Sequence, residues 1–214
     1  MNITLLICII SDIILLTILI LLIIEVFVFE KALQKQGISF VINLGNVINK
    51  CQLKEIFNLL KEENEDYKEQ VSRIIIYGYK WQYLFFYLIR VFLAHIYKQE
   101  ELENEYKKVM KRDSHGLIPC GGYLDKFDII EIYEFNMKKI QKSQDIDIYK
   151  VQLTNAIAHE FRHRIQHNKR ISVIDEEADA EGFAIDFCNK NKHRIKEILN
   201  LASTVTFKKI YFNH

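Results

Sequence analysis

Apolar and polar positions change pattern several times along the 214 residues, and each pattern predicts a different element. Ile3 to Phe29 is nearly unbroken: of the first 29 residues 23 are apolar, and only Asp12 and Glu25 are charged. A membrane-spanning helix needs about 20 such residues. Further on, Leu53, Ile56, Phe57, Leu59 and Leu60 recur at helical spacing within Gln52 to Gln70, ahead of a strongly acidic turn. Val71 to Tyr79, rich in Ile and Tyr, predicts the start of a strand. Trp81 to Tyr97 predicts an aromatic-rich helix, and Arg73, Lys80 and Arg90, before and within it, argue against a second span. That helix reads as a core helix of the soluble domain or as an interfacial helix lying on a membrane. Gln99 to Arg112 carries many Glu and Lys and predicts a solvated helix. Pro119 and Gly121-Gly122 predict a turn. Ile129, Ile130, Ile132 and Tyr133 predict a strand. From Ile148 to Asn168 an uninterrupted helix is expected, with Leu153, Ala156, Ile157 and Ile165 on its buried side. Asp175 then suits an N-cap, with Glu176 and Glu177 in the favourable first turn of a helix running to about Asn189.

Three readings compete for residues 3–29. A cleaved signal peptide wants basic residues before the run and a small-residue site after it, but Met1-Asn2 precede and Glu30-Lys31 follow. A buried core helix accommodates Asp12 at less cost than a bilayer, where a mid-helix carboxylate costs about 3 kcal/mol. The other apolar side chains outweigh that cost, so a single membrane anchor is expected, contacting the lipid bilayer through residues 3–29. Lys31 and Lys35 follow the span closely and put the C-terminal domain in the cytoplasm by the positive-inside rule.

Composition adds little to this picture. Without the first 29 residues the remainder has a net charge of +3, too small to argue for nucleic-acid binding, and no nucleic acid is expected as a partner. Cys8, Cys51, Cys120 and Cys188 are widely spaced, form no CxxC pair and fit reduced thiols rather than a disulfide framework. The 34 Ile and 22 Lys against 8 Ala and 7 Arg resemble the bias of an AT-rich genome, so abundance of Ile or Lys says nothing of function. Low Pro and Gly argue against a loop-rich all-β fold.

The chemistry is concentrated in His159-Glu160-Phe161-Arg162-His163, an HExxH sequence on the expected helix. Histidines four apart lie on one face, so both imidazoles can reach one Zn²⁺, while the intervening Glu can reach a water beside it. Zinc wants a third protein ligand and an open position. In Glu177-Ala178-Asp179-Ala180-Glu181-Gly182-Phe183-Ala184, small residues three and seven places after Glu177 permit close packing on the HExxH helix. Glu177 is therefore the expected third ligand. Glu181 is expected to hydrogen-bond a ligand imidazole from behind. Glu176 is an alternative ligand, and Asp175 with Ala178 and Asp179 is a poorer copy of the same spacing. His167 lies eight residues from His159, about 12 Å along a helix, too far for one metal to bind both and His163 as well. Cys120 reads as a buried apolar residue more readily than as a ligand.

Residues 117–187 resemble the small gluzincin metallopeptidases of the ImmA/IrrE type and the short phage and bacterial HExxH proteins related to them. The matching residues are Gly122-Tyr123, the apolar strand around Ile129–Tyr133, Thr154, Ala158, His159, Glu160, His163, Glu177, Ala180, Glu181, Phe183 and Ala184. Arg162 and Gln166 are similar to a variant HExRHxxQ pattern. Departures include the gap of 14 positions between His163 and Glu177 and the charged Arg162 and Arg164. The resemblance implies one Zn²⁺ per chain and hydrolysis of a protein or peptide substrate.

The expected fold is α+β and mainly helical: an N-terminal transmembrane helix, then a zincin-like domain with a small sheet and an HExxH helix. Residues 1–30 form the anchor, 31–112 the mainly helical first part of the soluble domain, and 113–214 the metallopeptidase core. In that reading His159, His163 and Glu177 hold zinc, and Glu160 is the general base. The strand around Ile129–Tyr133 pairs with an extended substrate, and Tyr123 and Tyr133 are candidate oxyanion donors. Two other classes compete: a membrane-tethered module with a structural zinc, and an interaction protein using Arg162, Arg164, Lys169 and Arg170 on nucleic acid. With no aromatic or Gly-rich reader beside it, that basic cluster reads more readily as a solvated helix end.

Overall fold

The computed structural model describes residues 40–64, 73–97, 109–110, 119–125, 128–140, 145–169, 173–202, 205 and 207. The apolar run 3–29 lies outside them, as does the expected helix Gln99–Arg112 except for Val109 and Met110, which are helical. Among the described residues no helix is long and apolar enough to cross a membrane.

The fold is mixed α and β and mainly helical. In chain order it runs β1 (Phe40–Asn43), α1 (Lys50–Glu62), β2 (Arg73–Ile76), α2 (Lys80–Tyr97), β3 (Gly121–Leu124), β4 (Ile129–Ile132), α3 (Glu134–Ile140), α4 (Ile146–Lys169), α5 (Glu176–Lys190) and α6 (Lys192–Leu199). The helix starts have local causes. Asn49 accepts from the Gln52 amide while Gln52 reaches back to the Asn49 amide, closing a capping box at α1. Asp175 accepts from the Ala178 amide at 3.0 Å, and Glu176, Glu177 and Asp179 place negative charge at the positive end of α5.

Among the described residues four strands form one sheet in the order β1-β2-β4-β3. β2 and β4 are parallel, with Arg73 opposite Ile129 and Ile76 opposite Ile132. β3 and β4 are antiparallel, with Gly121 opposite Ile132. The strand around Ile129 is thus paired on both sides and cannot receive a substrate strand; the sheet edge beside it is β3. The Gly121-Gly122 pair, expected in a turn, lies within β3. Crowding explains these glycines. A Cβ at Gly121 would stand 2.6 Å from Glu160 Oε1 and 2.7 Å from its Cγ, and one at Gly122 would stand 3.1 Å from the Tyr133 hydroxyl.

Side chains alternate across the sheet. Ile74, Ile76, Ile130 and Ile132 face a core shared with Phe57 and Leu60 of α1, Leu153, Ile157 and Phe161 of α4, and Phe187 of α5. Phe57 and Phe161 meet edge to face with centroids 5.5 Å apart. Residues on both sides of position 112 therefore contribute to one sheet and one core. The opposite face carries Ile75, Tyr77 and Tyr133 against Tyr83 of α2. Glu131, fully buried among them, accepts from Tyr77 Oη at 2.5 Å, Tyr133 Oη at 3.1 Å and Arg90 Nη1 at 2.8 Å. The charge is tolerated because three donors replace its water.

Because the contact at Gly121 reaches Glu160 Cγ and not only the flexible end of that side chain, Gly121→Ala has no free space to use. Its expected cost is about 1–3 kcal/mol of stability, read by urea denaturation. An unchanged midpoint would show that Glu160 can swing away freely.

Candidate metal centre

α4 is held by its apolar side, with Leu153, Ala156, Ile157, Phe161 and Ile165 all buried. That fixes the opposite register, and His159 and His163 come out one turn apart with Nε2 atoms 3.0 Å from each other. α5 packs directly on α4. Ala180 and Ala184 are both fully buried and set no bulk between the two helices. Glu177, in the first turn of α5, then reaches both rings: Oε2 lies 3.2 Å from His159 Nε2 and Oε1 lies 3.4 Å from His163 Nε2. Among the described residues these three form the only group able to hold a metal ion, with ligand atoms all within 4.8 Å of one another. Four-coordinate zinc with bonds of about 2.0–2.1 Å places its ligand atoms roughly 3.4 Å apart, so the spacing fits.

The hydrogen-bonding around His163 fits as well. Gln166 Nε2 donates to the Glu176 carbonyl at 3.0 Å and to Asp179 Oδ2 at 2.8 Å. Its Oε1 therefore faces His163 Nδ1, 2.8 Å away, and accepts from it. With the proton on Nδ1, the His163 Nε2 lone pair points at His159 and Glu177. Three electron-rich atoms converge there, and such a convergence is satisfied by a cation or by a shared proton.

Without a cation, a proton on the imidazoles takes that role. Burial disfavours the charged form of His163, but its hydrogen bond to Glu177 and the charges of Glu160 and Glu177 prevail and push it up to about 9. Hydrogen bonds from His159 and His163 hold the Glu177 carboxyl well below the usual range. Glu160 sits beside them, fully enclosed. Burial pushes its carboxyl up to about 7, against the opposing pull of His159 and His163. Burial, and then the charge of Glu160, pushes the Cys120 thiol up to about 12, so it stays protonated and outside the ligand group. The Glu177 side chain is 79% exposed while those of His159 and His163 are 23% and 11%. The group is thus most open to solvent at Glu177.

Other expected residues lie elsewhere. Glu181 is half-buried on α5 and makes no hydrogen bond to either imidazole. The back of His163 points along α4 toward its C-terminal end, where the first turn of α5 lies, so Gln166 and Asp179 take that place. Arg162 fixes Asp179 with Nε at 2.6 Å and Nη2 at 3.2 Å. A polar residue three places after His163 was the available sequence signal for Gln166. Asp179 was marked in the sequence only through the poorer copy of the spacing that starts at Asp175, since its role depends on how the two helices dock. His167 is exposed and packs on Tyr123, with ring centroids 5.6 Å apart. The Tyr123 hydroxyl donates to Asp128 Oδ1 at 3.0 Å, and Tyr133 lies in the core on the other face of the sheet. The basic cluster does not form one surface. Arg164 is buried, with Nε 2.6 Å from Asp128 Oδ1, and Arg162 is held by Asp179. Arg170 lies outside the described residues.

No family model, no curated protein and no solved structure matches the chain.

Two outcomes follow from this geometry. Gln166→Ala frees the His163 ring and should weaken zinc binding by about 10–100-fold, measured by competition with a chromogenic chelator; an unaltered affinity would remove Gln166 from the site. The second concerns the chelator-treated protein. Unfolded Glu160 ionises near its ordinary 4.5, whereas folded Glu160 keeps its proton to about 7, so this group costs stability as pH rises between those values. Glu160→Gln lacks that cost. Its stability advantage over wild type should grow from pH 4.5 to 7 and level off at up to about 3 kcal/mol, read from denaturation midpoints across that range.

Proposed function

We propose that this chain is a membrane-anchored zinc-dependent metallopeptidase. His159, His163 and Glu177 hold the zinc, and Glu160 acts as the general base. The observation that carries the reading is the convergence of three ligand atoms beside a buried carboxyl, most open to solvent at Glu177. Zinc bound there supplies Lewis acidity toward the scissile carbonyl and makes water a competent nucleophile near neutral pH. Glu160, enclosed and with a proton affinity near neutrality, accepts a proton from water and delivers it to the leaving amine. β3 lies at the sheet edge, and its Gly121 backs directly on Glu160. An extended peptide added along β3 would bring a backbone carbonyl past the site, held by main-chain hydrogen bonds. In this reading residues 3–29 form a single-pass anchor, the remaining domain is cytoplasmic, and Glu181 has no assigned part.

A structural zinc site is the second reading. A structural site closes its fourth position with another protein ligand. Here no fourth ligand belongs to the group among the described residues, and Glu177 borders solvent, which favours catalysis.

Metal analysis and activity separate the two. The peptidase reading expects about one zinc per chain, lost in His159→Ala and in His163→Ala. Glu160→Gln should retain zinc yet lose about 10²–10⁴-fold in turnover of a cleaved protein, found by comparing the proteomes of cells expressing wild type and variant. Full zinc with identical proteomes would establish the structural reading.

A further inference from the structure

α2 has two apolar sides. One is used: Tyr83 is buried and meets Tyr77 and Tyr133 edge to face, with centroids 5.5 and 5.4 Å away. On the other side Trp81, Phe85 and Leu88 are 65%, 44% and 63% exposed. These three positions recur at i, i+4 and i+7, one stripe along the helix. Tyr79, 53% exposed, precedes it, with Lys138 Nζ 5.4 Å from its ring. Lys80 is exposed beside it, and Lys80–Tyr97 contains no Asp or Glu.

We propose that this stripe of α2 docks into the lipid interface of the bilayer that anchors the chain. The inference rests on reading residues 3–29 as a membrane span. Only the ten residues 30–39 separate that run from β1, a reach of at most about 35 Å. A patch confined so close to a bilayer meets it at high effective concentration, so a weak intrinsic affinity suffices. The chemistry suits an interface: Trp and Tyr are the side chains enriched at headgroup depth, and lysines beside them match anionic lipids.

Other occupants fit less well. Four half-exposed side chains offer on the order of 400–500 Å², about half of what each partner of a stable protein complex buries. The sequence 3–29 has only Asp12 and Glu25 as charged residues, and so carries far more apolar surface than one stripe could cover. Because α2 and α4 pack on opposite faces of the sheet, the docked domain turns the metal group away from the lipid. It would then act on chain segments standing clear of the membrane.

Trp81 is the only tryptophan, so its fluorescence reports on this stripe alone. The full chain is reconstituted into phosphatidylcholine–phosphatidylserine vesicles, with and without bromine on the acyl chains, and recovered by flotation. The expected result is blue-shifted Trp81 emission that bromination quenches. Both effects should be lost in the Phe85→Glu, Leu88→Glu double variant, which still floats and keeps its circular dichroism. Wild-type protein that floats with emission indifferent to bromination overturns the proposal while leaving the anchor intact. If that emission is blue-shifted and grows with the protein-to-lipid ratio, a second copy covers the stripe. If it is blue-shifted and independent of the ratio, the chain's own apolar run covers it. Failure of the wild type to float overturns the anchor reading itself.

Discussion

Ala180 and Ala184 carry nothing beyond Cβ, and both are completely buried where α5 lies on α4. That close approach is the constraint on which the candidate site depends. Two histidines on α4 make only a pair of neighbouring rings. Glu177 joins them because the first turn of α5 starts beside them, and a longer residue at 180 or 184 would force the helices apart by the width of its side chain. Metal–ligand bonds tolerate only tenths of an ångström, so a packing detail with no chemistry of its own decides whether the chemistry exists.

The same contact also fixes orientation. Gln166 joins His163 to Asp179 and to the Glu176 carbonyl, so one amide both selects the His163 tautomer and pins the start of α5. Arg162 holds Asp179 from the other side and lies over Phe183, 5.6 Å from the ring centroid. Arg162 and Gln166 thus belong to the support of the site and not to a surface for nucleic acid. Glu160 is supported differently. Its space exists because Gly121 contributes no side chain, and the enclosure that raises its proton affinity is the same one that makes Gly121 necessary.

The sheet separates two environments. Its α4 side is aliphatic and aromatic and positions the metal group. Its α2 side buries Glu131 among tyrosines and Arg90, where three donors satisfy one carboxylate. Arg90 leaves α2 on the same side as Tyr83 and so ties the helix to the sheet through an ion pair with Glu131. With that side committed, the opposite stripe of α2, Trp81, Phe85 and Leu88, is left largely exposed.

Much of this was legible in the sequence because it depends on local periodicity. The helix over Ile146–Lys169, the Asp175 cap, the HExxH pair and the small residues after Glu177 each follow from side-chain size and spacing along one element. Strand neighbours, by contrast, are chosen by contacts between distant segments. Ile129–Ile132 reads the same whether it is an edge or an interior strand, and only pairing with Arg73–Ile76 makes it interior. Gly121-Gly122 reads as a turn until Glu160 and Tyr133, from other elements, fill the space where a Cβ would stand. Glu181 and Asp179 differ by two positions on one helix, and the crossing of α5 over α4 alone decides which faces the back of His163. The sequence by itself determined which residues could hold a metal ion. The tertiary structure decided which groups stand behind them, because hydrogen bonds across elements depend on a docking geometry that no local pattern encodes.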